Sequence, residues 1–145
     1  MNITIEPINK NIDRNEYFAL LKLLTIIDPN CINQELFEKH LELILSNPLH
    51  KIFIAKEFNK IIGTITILIE PKFIRNCSLV AHIEDVVVDS EYRSNGVGKT
   101  LVQMAIDYSK EKGCYKIILD CNDSNVEFYK KCGFDLRDKH MAKYL

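Results

Sequence analysis

The sequence predicts an α/β fold in which a mixed central β-sheet has helices on both faces. Residues 83–88 end in three consecutive valines, and β-branched residues favour a strand that is buried on both sides. Residues 93–98 form a glycine-containing turn, after which apolar residues recur at helical spacing. A second apolar run, residues 115–119, follows that helix. Strand, helix and strand in succession predict a right-handed parallel crossover, which places the helix start and both strand ends at one edge of the sheet.

The chain is expected to begin with a strand and a helix. Residues 3–8 alternate apolar and polar side chains and carry a proline near their end, as a half-buried strand does. Asp13 and Glu16 have the spacing of a helix N-cap and its reciprocal partner, and Asp28-Pro29 is expected to end the helix. The apolar stripe of this helix consists of Tyr17, Leu20, Leu21 and Leu24.

A second helix and a β-hairpin are predicted next. The helix is expected to begin after Asn33 and to end at Asn47-Pro48. Its inward face is expected to consist of Leu36, Phe37, Leu41, Ile44 and Leu45. Residues 52–58 and 61–70 are apolar runs, and a connection as short as Asn59-Lys60 fits a hairpin in which the asparagine tolerates a positive φ.

The second hairpin strand carries a glycine and ends at a proline. Gly63 lies inside the apolar run, where a glycine often marks a β-bulge. Pro71 is expected to end the pairing. Residues 72–76 then form a loop that returns to the valine-rich strand, and its cations would ordinarily be solvated surface charges.

The C-terminal part is predicted to contain two helices and three strands. The helix that starts near Gly98 is expected to end at Gly113, in the left-handed position that often follows a helix. Ser124 and Glu127 have the spacing of a capping box, so a short helix is expected at residues 125–132, closed by a glycine. Residues 134–145 could supply two short strands around a polar turn.

Composition limits the classes of function. The 145 residues are 47% hydrophobic and carry a net charge of −1, so we expect one globular domain over residues 1–145 and no nucleic-acid partner. No apolar run reaches the ~18–20 residues of a membrane span, and no secretion-signal pattern is present, so no membrane partner and a cytoplasmic location are expected. The five cysteines form no C-x-x-C pair, which favours free thiols and gives a metal site no support.

The turn before the central helix is a candidate anion-binding loop of one of two kinds. A helix start presents unpaired backbone N–H groups and the positive end of the helix dipole to a phosphate or pyrophosphate. Gly98-Lys99-Thr100 resembles the end of a P-loop, but that motif requires a glycine where this chain has Arg93. A P-loop nucleotide hydrolase is therefore the weaker alternative. The other pattern is R-x-x-G-x-G, which residues 93–98 match.

The R-x-x-G-x-G loop resembles the acetyl-coenzyme A loop of the GNAT family of N-acetyltransferases. The resemblance is made specific by three further segments, at residues 83–88, 114–121 and 125–134. It is close over residues 72–134, loose before them, and points to the branch of the family that acetylates glucosamine 6-phosphate. It implies the GNAT fold, acetyl-CoA as co-substrate, no metal, and a homodimer with exchanged C-terminal strands. A GNAT enzyme for another amine and a non-catalytic coenzyme A binder remain alternatives.

The resemblance also implies roles for individual residues. Tyr129 is implied as the acid for the coenzyme A thiolate, although by position alone it could equally be a core tyrosine. Asp120 is implied to orient the amine, with a structural ion pair as its alternative, and Glu84 is implied to contact the sugar. The remaining acetyl-CoA contacts are Val86, Val87, Val88, Arg93, Ser94, Asn95, Gly96, Val97, Gly98, Lys99, Asn125, Tyr129, Lys130 and Lys131. The remaining sugar-phosphate contacts are Thr25, Lys72, Phe73, Ile74, Arg75, Asp85, Val86, Tyr115, Lys116 and Lys143.

Two features of this assignment depend on the fold. The resemblance implies that a bulge separates the valine-rich strand from the strand at residues 115–120, which would free an edge for pantetheine. Asp120 is interpreted as a strand carboxylate between apolar residues, where burial without a partner is costly.

The tail departs from the family at one position. Family members often carry an arginine in the last strand near the substrate phosphate, whereas residues 140–145 contain only Lys143. A lysine supplies charge without the bidentate fork of an arginine.

Overall fold

A computed structural model describes residues 1–28 and 31–145 and confirms the mixed sheet with helices on both faces. The strands are β1 (Ile3–Pro7), β2 (His50–Glu57), β3 (Lys60–Pro71), β4 (Leu79–Val88) and β5 (Cys114–Leu119). The helices are α1 (Arg14–Leu21), α2 (Gln34–Leu45), α3 (Ile74–Cys77), α4 (Val97–Glu111) and α5 (Val126–Lys131). The strands lie in the order β1-β2-β3-β4-β5. Neighbours are antiparallel except β4 and β5, which are the predicted parallel pair.

Two hydrophobic clusters hold the helices against opposite faces of the sheet. α4 covers one face with four buried side chains, Val97, Leu101, Val102 and Ala105. α1 and α2 cover the other face with Tyr17, Leu20, Phe37 and Leu41. Because β3 has helices on both sides, its interior is almost entirely apolar, as a doubly covered strand requires. Within residues 1–28 and 31–145, no helix has both the length and the apolar composition needed to cross a bilayer.

Both predicted starts of the N-terminal helices are confirmed. The Asp13 carboxylate accepts the backbone N–H of Glu16 at 2.8 Å, and the Asn33 amide oxygen accepts that of Leu36 at 2.8 Å. The reciprocal role predicted for Glu16 is wrong, because its carboxylate accepts the backbone N–H of Ile61 at 2.6 Å instead. A tertiary hydrogen bond that ties α1 to β3 has replaced the local one.

The apolar stripes of these helices are narrower than predicted. Leu24 is exposed because α1 ends at Leu21, before the predicted stop at Asp28-Pro29. Pro29 lies outside the described residues. On α2, Leu36 and Leu45 are also exposed. The sheet contacts only the central line of α2, where Phe37 and Leu41 are one turn apart, so side chains on its flanks stay in solvent.

The hairpin is confirmed with its turn shifted by one residue. Glu57 pairs with Lys60, so the turn residues are Phe58 and Asn59. The positive φ (47°) belongs to Phe58 and not to the asparagine.

The bulge predicted near Gly63 is present beside it. Ala55 pairs with Gly63 and Lys56 with Ile61, which leaves Ile62 as the extra residue. A Cβ at Gly63 would lie 3.0 Å from the Leu101 side chain, so the glycine also allows the close approach of α4 to β3.

In the C-terminal part, the predicted glycine positions after the helices are confirmed, whereas the predicted capping box and terminal strands are not. Gly113 and Gly133 follow α4 and α5 with φ of 82° and 95°. The capping box is wrong: Ser124 lies in a 3-10 turn, and α5 begins at Val126 without a side-chain cap. Residues 134–145 form no strand in the described chain and face β5 across a cleft. β5 is the edge strand of the sheet, but the cleft separates the tail from that edge, so the tail does not pair with it.

Candidate functional site

A β-bulge interrupts β4 within the valine-rich segment. Thr64 pairs with Val87 and Thr66 with Glu84, so Asp85 and Val86 together oppose one residue of β3. Asp85 has a φ of +50°, which is uncommon for a residue with a side chain. A bulge of this kind bends its strand and redirects the neighbouring side chains. Glu84 and Asp85 are consecutive and both are exposed.

The bulge coincides with the point where β4 and β5 separate. Their parallel pairing runs from Leu79↔Cys114 to Ile83↔Leu119 and ends there. β4 continues to Val88, so the backbone of residues 84–88 faces the gap without a strand partner from β5. The splay that the resemblance implied is therefore present. An extended ligand can pair with such an edge by backbone hydrogen bonds.

The anion loop lies at the end of this open edge. The loop contains left-handed residues at Ser94 and Gly96, with φ of 69° and 81°, and α4 begins at Val97. The first N–H groups of a helix have no acceptor within it, so those of the first turn of α4 are available to an anion. The Arg93 side chain donates to the carbonyl of Val88 at 3.4 Å, which folds the loop against the end of β4.

One contact in the loop disfavours the P-loop alternative. The Thr100 hydroxyl donates to the carbonyl of Gly96 at 3.0 Å, one turn earlier in the same helix. In a P-loop the equivalent hydroxyl is a ligand of Mg²⁺. The hydroxyl in this chain closes the first turn of α4 instead.

Tyr129 lies on α5, which packs beside the start of α4. A Cβ at Gly98 would lie 3.3 Å from the Phe128 ring, so α5 and the loop are in close contact. The Tyr129 ring contacts the rings of Phe128 and Phe134 at centroid distances of 4.9 and 6.1 Å. Burial, followed by the nearby thiols of Cys121 and Cys132, raises the pKa of Tyr129 to about 12. The phenol therefore stays protonated at neutral pH and can donate a proton.

Three carboxylates from β4 and the end of β5 share one electrostatic environment. Partial desolvation of the Glu84 carboxyl raises its pKa, and the charges of Asp85 and Asp120 raise it further. Asp120 lies one residue beyond β5 with 62% of its side chain exposed, so the expectation of a buried strand carboxylate is wrong. The strand ends at Leu119, where its pairing with β4 ends, and the next residue turns into solvent.

Cations and an aromatic ring form a second cluster at the other end of β5. The guanidinium of Arg75 and the ammonium of Lys116 lie 5.8 and 5.6 Å from the centre of the Tyr115 ring. Arg75 is presented by α3, a single turn in which residues 75–77 all have positive φ. Lys72 is already paired, with its ammonium 3.1 Å from the Glu70 carboxylate.

Other residues named from the sequence are not in these clusters. Thr25 lies in the exposed segment after α1, and Phe73 is 95% exposed beside Ile74. Lys143 lies in the exposed tail and makes no ion pair with the residues that the structure describes. The remaining positions are all exposed: Asn95 and Lys99 near the start of α4, Asn125 just before α5, and Lys130 and Lys131 at the end of α5.

Two tail residues that the sequence did not single out lie near these clusters. Arg137 lines a cavity of about 860 Å³ together with Arg75 and Lys116. The His140 imidazole is 3.0 Å from the Asp120 carboxylate. The only sequence signal for either was the polar turn in the tail, which is typical of a surface loop.

Comparison with known proteins identifies the family. The model of the Acetyltransferase (GNAT) family matches residues 17–134, which include the β4 edge, the anion loop and α5. The chain belongs to the GNAT family. This confirms the family and the fold that the loop and its flanking segments indicated.

Similar proteins place the chain within the GNAT family. It is 41% identical to the glucosamine 6-phosphate N-acetyltransferase of Arabidopsis thaliana over 90% of this chain and 89% of that protein. It is 33% identical to glucosamine 6-phosphate N-acetyltransferase 1 of Oryza sativa subsp. japonica over 88% of this chain and 78% of that protein. The crystal structure of the Arabidopsis thaliana enzyme matches with a TM-score of 0.93, at 38% identity, over 99% of each chain.

Proposed function

We propose that this GNAT protein transfers the acetyl group of acetyl-CoA to the amine of glucosamine 6-phosphate. The observation that carries the proposal is the β4 bulge, which leaves an open backbone edge between an anion-binding helix start and the carboxylates of Glu84, Asp85 and Asp120. Two relatives that cover most of the chain are glucosamine 6-phosphate N-acetyltransferases. Residues 1–145 are proposed to act as one catalytic domain.

The loop and the open edge are proposed to hold acetyl-CoA. The free N–H groups at the start of α4 suit the pyrophosphate, and the exposed lysines of the loop and α5 add positive charge. The unpaired backbone of residues 84–88 suits the amide groups of pantetheine. Backbone N–H groups next to Val86 and Val87 are proposed to polarise the thioester carbonyl, as oxyanion donors do in acyl transfer.

Three side chains are proposed to serve the reaction itself. Glu84, whose pKa is raised by desolvation and by its acidic neighbours, is suited to take a proton from the sugar ammonium near neutral pH. Asp120 is proposed to orient the neutral amine for attack on the thioester. The Tyr129 phenol is proposed to donate a proton to the departing thiolate. The ammonium gives one proton to Glu84 before attack, and the nitrogen loses a second proton to solvent as the amide forms. The thiolate takes its proton from Tyr129, and solvent then reprotonates the phenol.

The cations around Tyr115 are proposed to bind the sugar phosphate. Arg75 and Lys116 both lie over the Tyr115 ring and line the same cavity. Lys72 can join them only by leaving Glu70, whose carboxylate it shares with His82. Thr25, Phe73, Ile74 and Lys143 remain predicted contacts of the substrate.

Lys116→Ala is expected to raise the KM for glucosamine 6-phosphate about tenfold, because a hydrogen bond between charged groups contributes roughly 1.5–3 kcal/mol. The KM for acetyl-CoA should not change. Lys112→Ala is the matched control, since Lys112 also lies over a tyrosine ring, at 5.4 Å from the centre of Tyr108. Equal effects of the two substitutions in steady-state kinetics would contradict the phosphate role of Lys116.

Thiol release from acetyl-CoA tests the function directly. Glucosamine 6-phosphate should be the preferred acceptor when it is compared with glucosamine, a polyamine and a peptide amine. Preference for an unphosphorylated amine would support a GNAT enzyme of different specificity. Tight acetyl-CoA binding with no acceptor turnover would support a non-catalytic coenzyme A binder.

We also propose that the protein is a homodimer in which the C-terminal tail reaches the partner. The tail leaves its apolar side chains uncovered in the single chain: Leu136 is 70% exposed, Met141 91% and Tyr144 95%. Exposed apolar residues concentrated in one terminal segment are typical of an interaction surface, and exchange of a terminal element is an economical route to a dimer. The tail would then form the strand that it cannot form alone.

Deletion of residues 139–145 is expected to shift the protein from dimer to monomer and to weaken binding of glucosamine 6-phosphate more than binding of acetyl-CoA. Light scattering and calorimetry would measure the two effects. Deletion of Met1 and Asn2, which removes residues from the other terminus, is the control. A monomeric full-length protein at assay concentration, together with full activity of the truncated form, would rule out the exchange.

The compartment remains a prediction. We propose that the protein acts in the cytosol, where thiols stay reduced. The structure is compatible with this because all five cysteines are free.

A further inference from the structure

We propose that Lys60 is a positioning residue that fixes the N-terminal end of the anion loop for acetyl-CoA. This inference rests on the proposed function, which places acetyl-CoA at that loop. Lys60 is the first residue of β3, and its ammonium lies 3.1 Å from the Asp89 carboxylate and 3.4 Å from the Glu91 carboxylate. The contact joins the β2–β3 hairpin to the segment that leads from β4 into the loop. None of these residues belongs to the C-terminal tail, so the contact does not depend on how the tail is arranged in a dimer.

The segment before the loop leaves the sheet just after β4 ends. The pairing of β4 with β3 ends at Val88, and the N–H of Asp89 then donates to the carbonyl of Ile62 at 2.8 Å. A 3-10 turn follows at residues 90–92, in which the N–H of Tyr92 donates to the carbonyl of Asp89 at 2.9 Å. Local contacts of this kind shape the turn but do not fix it to the sheet. That connection depends on side chains.

Both residues that flank the hairpin turn hold this segment. Glu57 and Lys60 are paired across the turn. The Lys60 ammonium lies over the Tyr92 ring, 5.0 Å from its centre, and a hydrogen bond to Glu57 raises the pKa of the Tyr92 phenol. A cation over the face of an aromatic ring is attracted to it. We call this set the loop clamp; its members are Glu57, Lys60, Asp89, Glu91 and Tyr92.

Asp89 is the acceptor at the centre of the loop clamp. Its Oδ1 atom accepts the backbone N–H of Glu91 at 3.0 Å, and its Oδ2 atom pairs with Lys60. The hydrogen bond from Glu91, the ammonium of Lys60 and the charge of Arg93 hold the pKa of Asp89 below its usual range, so the carboxylate is ionised at neutral pH. One oxygen therefore shapes the turn, and the other attaches the turn to the hairpin.

The loop clamp gives the anion loop an anchor at each end. Val97, the first residue of α4, is 1% exposed and holds the C-terminal end in the core. Arg93 directly follows the clamp, and its side chain holds the other end against the Val88 carbonyl. Residues 94–96 connect the two anchors. A loop that is already held in its binding conformation loses less conformational entropy when the ligand binds, so release of the clamp should weaken acetyl-CoA binding without changing the chemical step.

Lys60→Ala and Lys60→Arg test the clamp in the full-length protein. Lys60→Ala is expected to raise the Kd for acetyl-CoA about fivefold in calorimetry, the upper end of what an exposed ion pair contributes. In kinetics at saturating acetyl-CoA, kcat and the KM for glucosamine 6-phosphate should not change, a split that a general loss of stability would not produce. Arginine keeps the charge and stacks on aromatic rings, so Lys60→Arg should restore most of the binding.

Lys56→Ala is the matched control. Lys56 lies in the same hairpin, but its ion pair is with Glu6 of β1 and not with the segment before the loop. This variant should bind acetyl-CoA as the wild-type protein does. Equal weakening by Lys56→Ala and Lys60→Ala would overturn the inference, because the effect would then follow the loss of any hairpin lysine.

A double mutant separates positioning from direct contact with the ligand. Asparagine at position 89 can still accept the backbone N–H of Glu91 but lacks the charge that pairs with Lys60. In an Asp89→Asn background, Lys60→Ala should therefore have little further effect on the Kd for acetyl-CoA.

The outcomes distinguish this inference from the function on which it rests. An undiminished effect of Lys60→Ala in the Asp89→Asn background would mean that Lys60 binds acetyl-CoA itself, and it would overturn the positioning role. Unchanged binding in Lys60→Ala, with a wild-type protein that binds acetyl-CoA, would overturn this inference alone. Absence of acetyl-CoA binding by the wild-type protein would overturn the proposed function and the inference with it.

Discussion

Tyr129→Phe is expected to lower kcat about 100-fold, while the affinity for acetyl-CoA changes little. A positioned general acid typically contributes ~10²–10⁴-fold. The hydrogen bond to a thiolate strengthens only as the thioester breaks, so its loss affects the transition state and not the bound ground state. Burial raises the pKa of the phenol to about 12, so it carries its proton at neutral pH and can donate a hydrogen bond to the thiolate. Within residues 1–28 and 31–145 it also has no competing hydrogen-bond partner.

The matched control for Tyr129 is Tyr108→Phe. Tyr108 is also half-buried and packs edge-on against an aromatic ring, that of Phe53 at 5.5 Å, but it lies near the far end of α4. Single-turnover kinetics should report the chemical step of both variants. If Tyr129→Phe retains the wild-type rate of that step, the residue belongs to the aromatic cluster of α5 and has no part in the reaction.

Gly96→Val is expected to weaken acetyl-CoA binding about 100-fold. Gly96 has a φ of 81°, a conformation in which a β-branched residue is strongly disfavoured. A valine would therefore move the loop that aims the first N–H groups of α4. The loss of about two hydrogen bonds to a charged pyrophosphate, at roughly 1.5 kcal/mol each, accounts for the expected change.

Gly113→Val is the matched control, which separates an effect on acetyl-CoA binding from the effect of backbone strain on stability. Gly113 has nearly the same conformation, with a φ of 82°, and a Cβ would meet nothing within 4 Å at either glycine. It follows the other end of α4, so the two substitutions should lower the Tm similarly while only Gly96→Val weakens binding in calorimetry. Tight binding of ATP to the wild-type protein, without binding of acetyl-CoA, would contradict the assignment of the loop.

Local sequence signals were sufficient for much of the fold. The side-chain caps at Asp13 and Asn33, the glycines after α4 and α5, and the valine-rich strand before the anion loop all depend on contacts within a few residues. Contacts between near neighbours in the sequence form whenever the local element forms, whatever the rest of the fold is. The parallel crossover followed from the order of these elements, because strand, helix and strand have one preferred handedness.

The errors arose where a distant partner competed with a local one. Glu16 was expected to cap its own helix, but its carboxylate binds the backbone of Ile61 in β3. Leu36 and Leu45 match the apolar period of α2, yet both are exposed because only Phe37 and Leu41 of this helix are buried. Periodicity shows which side chains could be buried, and only packing shows how wide the buried stripe is.

The sequence by itself determined the family and the fold class, and it predicted the anion loop and the types of residue that the chemistry requires. Only the tertiary structure decided how they are arranged: that the β4 bulge opens an edge after Ile83↔Leu119, that Asp120 is exposed beyond β5, and that Lys72 is paired with Glu70. It also brought His140 to Asp120. The reason is physical: a motif encodes hydrogen bonds between near neighbours, whereas a contact across 20 residues exists only after the sheet and the tail have taken their places.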